Sequence, residues 1–427
     1  MVRPRFCRLH AIDRRLRSDV LIVATEASAD MHAARALEEL RRLRPGLTAF
    51  GMGGAKLRAA GLESLRQAEE MSVMGLAEVL PKIPVILGIL RELTAAAEAR
   101  RPLAALLVDS PDFNLRLAEK LKRLGVKVVY YVSPSVWAWR RGRVKTIARV
   151  VDRMLCILPF EERFYENTGV SARFVGHPLA ERPRPQTPSW YREALGLAQG
   201  RTTIALLPGS RRSELKRIFP PMLQAAERIR GKHPDAQFVV PVAVTLTEGN
   251  LAPYLEKHAS LAVKLAPGRT EAAVGACDAA LVKSGTSVLE VALMLRPMVV
   301  VYRLSWLSYF IGRLFVRLAH FAIVNLLAGR ALVPELLQRQ ANPDRMAAEV
   351  ERLLGDGPAR ADQLRGLEEV RASLGAPGAP CRVAEELASF LPRAITAVED
   401  APPPSESVAR SEPATPTPTA SGSSTRS

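Results

Sequence analysis

Short apolar runs alternate with helical patterns along most of this 427-residue chain, and that alternation restricts the fold more than any other feature. A strand, a helix and a second strand in succession form the unit from which parallel sheets are built. Strands are predicted at 19–24, 47–51, 103–109, 126–132, 203–208, 237–242, 261–266, 279–282 and 298–304. The predicted fold class is therefore α/β, with two doubly wound Rossmann-like parallel-sheet domains facing a central cleft.

A proline-rich stretch, VGHPLAERPRPQTPSW, separates the two halves of the chain. The two ends of the chain contain few apolar residues, so both ends are predicted to be disordered. The predicted segments are a basic extension at 1–17, a first domain at 18–178, a linker at 179–190, a second domain with closing helices at 191–399, and a Pro/Ser/Thr-rich tail at 400–427. Because open α/β sheets bind ligands beyond the carboxyl ends of their strands, the cleft between the domains is the expected site.

The formal net charge of +17 falls mainly on the body of the chain. A basic body favours phosphorylated ligands, nucleic acid or an anionic membrane surface, and a solvated arginine-rich surface is the alternative. The cysteines at 7, 156, 277 and 381 have neither metal-type nor redox-pair spacing, so we expect a reducing compartment and no zinc site. No sustained apolar core accompanies the basic N-terminus, which argues against a secretory signal.

Two apolar segments approach the length of a membrane span, but neither has the roughly 18 uninterrupted apolar residues that a spanning helix requires. Prolines interrupt the segment at 74–90, and two arginines interrupt the segment at 306–329. Each segment is either a buried core helix or a surface that enters a lipid headgroup layer or receives acyl chains.

Two loops of the second half combine small residues with a predicted helix start. They supply Gly209, Ser210 and Arg211 from LLPGSRRSE, and Ser284, Gly285, Thr286 and Glu290 from KSGTSVLE. Free N–H groups at a helix start and a nearby guanidinium bind anions, and a carboxylate one turn into the helix can accept ribose hydroxyls. An ordinary surface arginine and an ordinary helix cap are the alternatives. Together the loops predict a nucleotide-diphosphate pocket with neither a GxGxxG nor a Walker lysine motif.

Acidic residues follow two predicted strands of the first half. In DSPDFN, Asp109 ends a buried strand and is our candidate general base, while Asp112 is assigned to the following turn and helix start. In TEASAD, Ser28 or Asp30 is expected to cap a helix, which leaves Glu26 to face the cleft.

Aromatic and basic residues alternate in SPSVWAWRRGR. The pattern combines Trp137 and Trp139 with Arg140, Arg141, Arg143 and Lys145. Of these, Trp139, Arg140, Arg141 and Arg143 are the candidate ligands of an acceptor phosphate. Such a pattern can bind single-stranded nucleic acid or a phosphorylated sugar, or can form a core edge beside a solvated helix.

These motifs together resemble those of the lipid-A-disaccharide synthase family, inverting glycosyltransferases of the two-Rossmann GT-B type. The matching stretches, in the expected order from about 20 to 340, are EASAD, MSVMGLAEVL, DSPDFN, YYVSPSVWAW, ILPFEERFY, VGHPL, LLPGSR, SGTSVLE and NLLAGRALVPELLQ. The resemblance implies condensation of UDP-2,3-diacylglucosamine with 2,3-diacylglucosamine 1-phosphate to a β-1,6-linked lipid A disaccharide 1-phosphate and UDP. It implies no metal or other cofactor.

The resemblance also implies site residues and partners. Acids of two family loops correspond to Asp109 and Glu26. The family's nucleotide-contacting motifs correspond to Arg211, Ser284 to Thr286, and Glu290. A segment that closes over UDP in the family contains Asn325 and Gln338. The membrane- or acyl-contacting region supplies Met74, Leu76, Val79, Leu80, Ile83, Val85 and Ile86. The implied location is cytoplasmic, peripherally associated with the anionic inner membrane; a homodimer is left open, and no nucleic acid is expected.

The chain departs from the family pattern at several positions. It has Thr25 and Ala29 where glycine is usual, Ser110 where alanine is usual, and Ile323-Val324 where Leu-Pro is usual. Two alternatives therefore stay open: another UDP-sugar GT-B enzyme, such as a peptidoglycan-precursor glycosyltransferase or a non-hydrolysing epimerase, and a non-catalytic basic binding protein on the same scaffold.

Overall fold

The computed structural model describes residues 20–71, 76–305 and 319–392, with the backbone alone for 76–82. Met74 and the predicted disordered ends at 1–17 and 400–427 lie outside the described residues, and the side chains of Leu76, Val79 and Leu80 lie outside them too. Within the described part, no helix has the length and apolarity needed to cross a membrane.

The first half is built on a seven-stranded parallel sheet with the order β3-β2-β1-β4-β5-β6-β7. Its strands are β1 (Val20–Ala24), β2 (Ala49–Gly53), β3 (Glu63–Gln67), β4 (Ala104–Val108), β5 (Lys127–Tyr131), β6 (Arg153–Cys156) and β7 (Ala172–Phe174). The central strands β1 and β4 are buried along their whole length, as expected for a parallel sheet covered on both faces.

Helices cover both faces of this sheet. They are α1 (Ala27–Leu43), α2 (Ala55–Ala59), α3 (Leu76–Arg100), α4 (Pro111–Arg123), α5 (Arg143–Val150) and α6 (Pro159–Tyr165). Leu37 and Leu40 of α1 lie one turn apart and pack with Ile22 on one face. Leu93 of α3 and Leu117 of α4 belong to the core on the opposite face.

The second half repeats this architecture with a six-stranded parallel sheet of order β10-β9-β8-β11-β12-β13. Its strands are β8 (Thr203–Leu207), β9 (Gln237–Val242), β10 (Lys264–Pro267), β11 (Ala279–Lys283), β12 (Met298–Tyr302) and β13 (Glu335–Leu337). Its helices are α7 (Pro188–Leu195), α8 (Arg212–Lys232), α9 (Glu248–Leu255), α10 (Thr270–Ala276), α11 (Thr286–Leu293), α12 (Ile323–Ala328), α13 (Pro343–Glu351) and α14 (Pro358–Ser373). The predicted fold class, two doubly wound parallel sheets, is confirmed.

The last described helix, α15 (Ala379–Ala388), returns to the first half. Val383 and Leu387 are fully buried in the core beside α1. Glu181, in the segment that connects the halves, accepts hydrogen bonds at 2.7 and 2.8 Å from the backbone N–H groups of Gly378 and Ala379 at the start of α15. These two hydrogen bonds join the connecting segment to the start of α15.

Candidate active site

The strand order reverses beside β1 and β4 in the first sheet, and beside β8 and β11 in the second. Such reversals open a crevice at the carboxyl ends of the strands, where doubly wound proteins bind ligands. The loops that carry Glu26 and Asp109 follow β1 and β4. The loops that carry Arg211 and Ser284 follow β8 and β11. The four loops singled out in the sequence therefore leave the sheets at the two crevices.

Asp109 adopts a left-handed backbone conformation, with φ of 55°, and Ser110 follows with φ of 45°. Residues other than glycine rarely adopt such angles unless surrounding contacts enforce them, and they are common at functional sites. Here the Asp109 N–H donates to the Tyr131 carbonyl at 2.9 Å. The Asp109 carbonyl accepts from Asn114 Nδ2 at 2.7 Å and from the Tyr130 hydroxyl. These contacts fix the backbone of Asp109.

Burial raises the pKa of the Asp109 carboxyl above its ordinary value, and a hydrogen bond from the Ser110 N–H partly offsets this effect. The pKa of Glu26 is raised by burial and then by the negative charge of Asp109, while the positive charge of Arg211 lowers it. Two acids with raised pKa values, close enough to influence each other, are typical of a proton-transferring site.

A cavity of about 790 Å³ contains Glu26, Asp109 and Arg211 in its lining. Arg211 comes from the second half, so the cavity lies between the halves. Ile86 and Leu90 of α3 contribute to an apolar wall. A site of this kind offers acid–base chemistry, a cation and an apolar surface to one ligand.

The loop after β8 presents its backbone N–H groups to a carboxylate of the chain itself. Glu214 Oε2 accepts from the N–H groups of Ser210 and Arg211 at 3.0 and 3.3 Å, and Glu214 Oε1 pairs with Lys283 Nζ at 2.9 Å. Burial opposes the charge of Glu214, but these contacts outweigh it and lower the pKa. Gly209 has φ of 116°, and a Cβ atom there would lie 2.3 Å from Glu214 Oε2. Only glycine fits this turn.

In the loop after β11, the Ser284 N–H donates to the Val301 carbonyl at 2.9 Å, and Thr286 begins α11 directly after Gly285. Glu290, one turn later, accepts from Arg182 Nη2 at 3.0 Å. The Glu290 carboxylate, which was predicted to bind ribose, is therefore paired here with an arginine of the connecting segment.

Asn325 and Gln338 are both buried, and backbone groups of the chain satisfy their amides. Asn325 bonds Val333 in both directions at 2.8 and 2.9 Å. Gln338 bonds Leu304 in both directions at 2.8 and 3.3 Å. Each amide therefore holds two segments of the second half together, and the predicted contact of these two residues with UDP stays a prediction.

The aromatic and basic residues after β5 lie mostly at the surface of the first half. The Arg140 guanidinium lies 4.4 Å from the ring centre of Trp139, whose exposed fraction is 45%. Asp112 accepts from Arg140 Nη1 at 3.3 Å and also pairs with Arg143. Arg141 is exposed. Asp112 therefore pairs with two of the arginines that were predicted to bind phosphate. It also lies in the first turn of α4, as predicted.

Trp137, two residues before Trp139, has a different environment. Its indole N–H donates to Glu161 Oε1 at 3.2 Å, and its ring packs edge-on against Phe160. Glu161 is almost fully buried, and burial raises the pKa of its carboxyl to about 7. This contact anchors the aromatic loop to the start of α6.

The TEASAD turn is more regular than its composition suggested. Neither Thr25 nor Ala29 has a positive φ, so both residues adopt ordinary backbone angles. Asp30 does not cap its own helix: its carboxylate accepts from the N–H groups of Gly54, Lys56 and Leu57 at 2.7, 3.0 and 3.1 Å, at the start of α2. Asp30 is the fourth residue of α1, past the N-cap position that Glu26 occupies, and no side chain caps α1.

Sequence reasoning missed Lys283, Glu214 and Arg116. Lys283 ends β11 immediately before the SGT loop, a position that could have suggested an anion ligand. Glu214 stands three residues after Arg211, the N-cap of α8, at the spacing of a capping acid. Arg116 lines the cavity from α4, and no sequence signal distinguishes it from a surface arginine. Among the described residues, no three or more His, Cys, Asp or Glu side chains form a group suited to a metal ion.

Comparison with protein families gives a match between residues 20–377 and the family described as lipid-A-disaccharide synthetase. The lipid-A-disaccharide synthase of Anaeromyxobacter dehalogenans strain 2CP-C is 72% identical over 373 residues, covering 87% of this chain and 97% of that protein. The lipid-A-disaccharide synthase of Myxococcus xanthus is 54% identical over 374 residues, covering 87% and 97%.

Two solved structures with the same fold have far lower identity to this chain. The glycotransferase of kitacinnamycin superposes with a TM-score of 0.59 at 17% identity, covering 88% of this chain and 99% of that one. UDP-GlcNAc 2-epimerase from Neisseria meningitidis, bound to UDP-GlcNAc, superposes with a TM-score of 0.54 at 11% identity, covering 87% and 98%. At such identities the likeness concerns the fold alone.

Proposed function

The chain belongs to the lipid-A-disaccharide synthase family, a family of glycosyltransferases in lipid A biosynthesis, and we propose that it joins two diacylated glucosamines in the cavity between its halves. The proposed substrates are UDP-2,3-diacylglucosamine and 2,3-diacylglucosamine 1-phosphate. The observation that carries this proposal is the lining of one cavity by Glu26, Asp109 and Arg211 together with an apolar wall. These groups match an acceptor hydroxyl, an anionic leaving group and acyl chains.

The proposed reaction is a direct displacement with inversion. Asp109 takes the proton from the acceptor 6-hydroxyl, whose oxygen attacks C1 of the donor sugar on the side opposite UDP. The C1–O bond to the diphosphate breaks, and its electron pair leaves with UDP. A raised carboxyl pKa suits this role, because a general base works best when its pKa approaches the operating pH. Glu26 positions the acceptor or assists Asp109.

Negative charge grows on the diphosphate as the bond breaks. Arg211 and the start of α11, from Ser284 to Thr286, are the proposed groups that stabilise it, and Lys283 adds a cation beside the same loops. Gly209 and Ser210 would shape the approach of the phosphates. Glu290 would release Arg182 and bind the ribose hydroxyls instead. Asn325 and Gln338 would hold in place the segment that closes over UDP.

The acceptor's 1-phosphate is proposed to bind the cluster of Trp139, Arg140, Arg141 and Arg143. Arg140 and Arg143 pair with Asp112, an exposed single negative charge. A phosphate carries nearly two negative charges at neutral pH and offers more acceptor oxygens, so it can replace this carboxylate.

We propose further that α3 contacts the cytoplasmic face of the inner membrane. Three of its described apolar side chains are exposed: Ile83 by 41%, Val85 by 47% and Leu87 by 36%. Ile83 and Ile86 also line the cavity, which connects the proposed membrane surface with the site of reaction. An anionic leaflet would attract the basic body of the chain. A homodimer stays a prediction.

Replacing Ile83, Val85 and Leu87 together with serine is expected to weaken binding to anionic phospholipid vesicles at least about tenfold. Full burial of one such side chain contributes roughly 1.5–3 kcal/mol, and each of these, already partly buried in the protein, would contribute only a fraction of that value. Vesicle co-sedimentation measures the effect. The matched control replaces Leu43 and Leu124, exposed apolar residues at the C-terminal ends of α1 and α4, with serine. Equal losses in both variants would contradict a specific role for α3.

The function is tested by mass spectrometry of the product formed from the two diacyl substrates. We expect a disaccharide 1-phosphate and stoichiometric UDP. Efficient turnover of UDP-GlcNAc without acyl chains would instead favour another UDP-sugar enzyme. Absence of product, together with tight salt-dependent RNA binding, would favour the non-catalytic alternative.

A further inference from the structure

Two hydroxyl groups join the loops that carry the two acids. Thr25 Oγ1 and Ser110 Oγ are hydrogen-bonded to each other, although the residues are 85 positions apart. Thr25 immediately precedes Glu26, and Ser110 immediately follows Asp109. Thr25 is 2% exposed, so its hydroxyl needs a partner inside the protein. Each acid is therefore the direct neighbour of one member of this pair.

Ser110 does not use its hydroxyl as a serine in its position usually does. It stands at the N-cap of α4, where a serine side chain normally accepts a backbone N–H of the first helical turn. No side-chain capping bond forms here, and the left-handed backbone of Ser110 leaves the hydroxyl to Thr25. The Ser110 hydroxyl therefore bonds Thr25 on the other loop instead of a backbone N–H of its own helix.

The sheet itself ends just short of the two acids. Ala24 and Val108 are the last paired residues of β1 and β4. Asp109 is fixed toward β5 by its backbone bond to Tyr131, on the side away from β1. The Thr25–Ser110 bond therefore extends the connection between β1 and β4 beyond the last ladder pair, into the cavity where both acids lie.

We propose that Thr25 and Ser110 are paired positioning residues that fix the separation of the Glu26 and Asp109 carboxyl groups. This inference rests on the proposed function of the same cavity. A fixed separation keeps Asp109 aligned with the acceptor hydroxyl, and displacements of about 1 Å in such arrangements can cost a hundredfold in rate.

A double-mutant cycle with Thr25→Val and Ser110→Ala tests the proposal. Each single variant is expected to lower kcat about tenfold with little change in KM, and the double variant to be no slower than either single, because all three lack the same bond. Thr25→Ser, which keeps the hydroxyl, is expected to restore most of the rate. The matched control is Ser189→Ala, which removes an exposed hydroxyl bonded to Thr187 far along the chain.

Titration of the carboxyl groups by carbon-13 NMR supplies a second readout that needs no substrate. Burial is the main cause of both raised pKa values, so looser loops should admit water and move both titration midpoints to lower pH. Multiplicative losses in kcat, no recovery with Thr25→Ser, or unchanged midpoints would overturn the positioning role. A wild-type protein that makes no disaccharide would instead contradict the proposed function, and the midpoints alone would then decide the positioning role.

Discussion

Replacing Asp109 with asparagine is expected to lower kcat about a thousandfold, within the roughly 10²- to 10⁴-fold range that a general base contributes. Asparagine has nearly the same shape as aspartate and tolerates the left-handed backbone angle, so the contacts to Tyr131, Asn114 and Tyr130 can persist. The affinity for UDP should change little. The loss would therefore reflect proton transfer rather than folding or donor binding.

Asp112→Asn is the matched control, since it makes the same chemical change three residues away. Asp112 is exposed and pairs with Arg140 and Arg143, so its loss should alter KM for the acceptor more than kcat. Steady-state kinetics with both substrates, and UDP binding by calorimetry, separate the two effects. UDP release by Asp109→Asn at the wild-type rate would exclude Asp109 as the base.

The pH dependence follows from the sign of the pKa shift. Asp109 acts as a base only when ionised, and burial raises its pKa, so activity should fall with decreasing pH at a midpoint above the ordinary aspartate value. The ionisation of Asp109 is coupled to that of Glu26, so the midpoint of the pH–activity profile belongs to the pair of carboxyl groups and not to either one alone.

The sequence predicted those parts of the fold that have a strong local signal. The nine predicted strands correspond to observed strands because each is an apolar run bounded by loop residues. The missed strands lack a long apolar run. β6, β7 and β13 have only three or four residues each, and β3, at a sheet edge, is mostly polar and has no buried residue. The return of α15 to the first half depends on contacts between residues far apart in sequence, which periodicity cannot reveal.

The same distinction applies to the site. Loops at the carboxyl ends of strands were predictable, because parallel topology brings them to one edge. The partners of individual side chains were not: Asp30 caps α2, and Glu290 bonds Arg182. Thr25 and Ser110, two departures from the family pattern, looked unrelated in sequence, and only the fold brings their hydroxyls together.

Replacing Arg211 with alanine is expected to lower kcat/KM for the UDP-sugar about 10- to 100-fold, since a hydrogen bond from a charged donor contributes roughly 1.5–3 kcal/mol. The loss should exceed the loss of affinity for the intact UDP-sugar, because the negative charge on the diphosphate is greater in the transition state than in the bound donor. Arg211→Lys should recover part of the rate through its charge, without the bidentate geometry of a guanidinium.

Arg212→Ala is the matched control, an exposed arginine one position further along at the first residue of α8. Arg211 also lowers the pKa of Glu26, so its removal should shift the acid limb of the pH profile to higher pH, an effect that Arg212→Ala should not produce. Equal kinetic losses in the two alanine variants would indicate a general effect of surface charge. A specific loss with the pH shift would indicate that one guanidinium serves both the leaving group and the acid pair, which requires the halves to act on the substrates together.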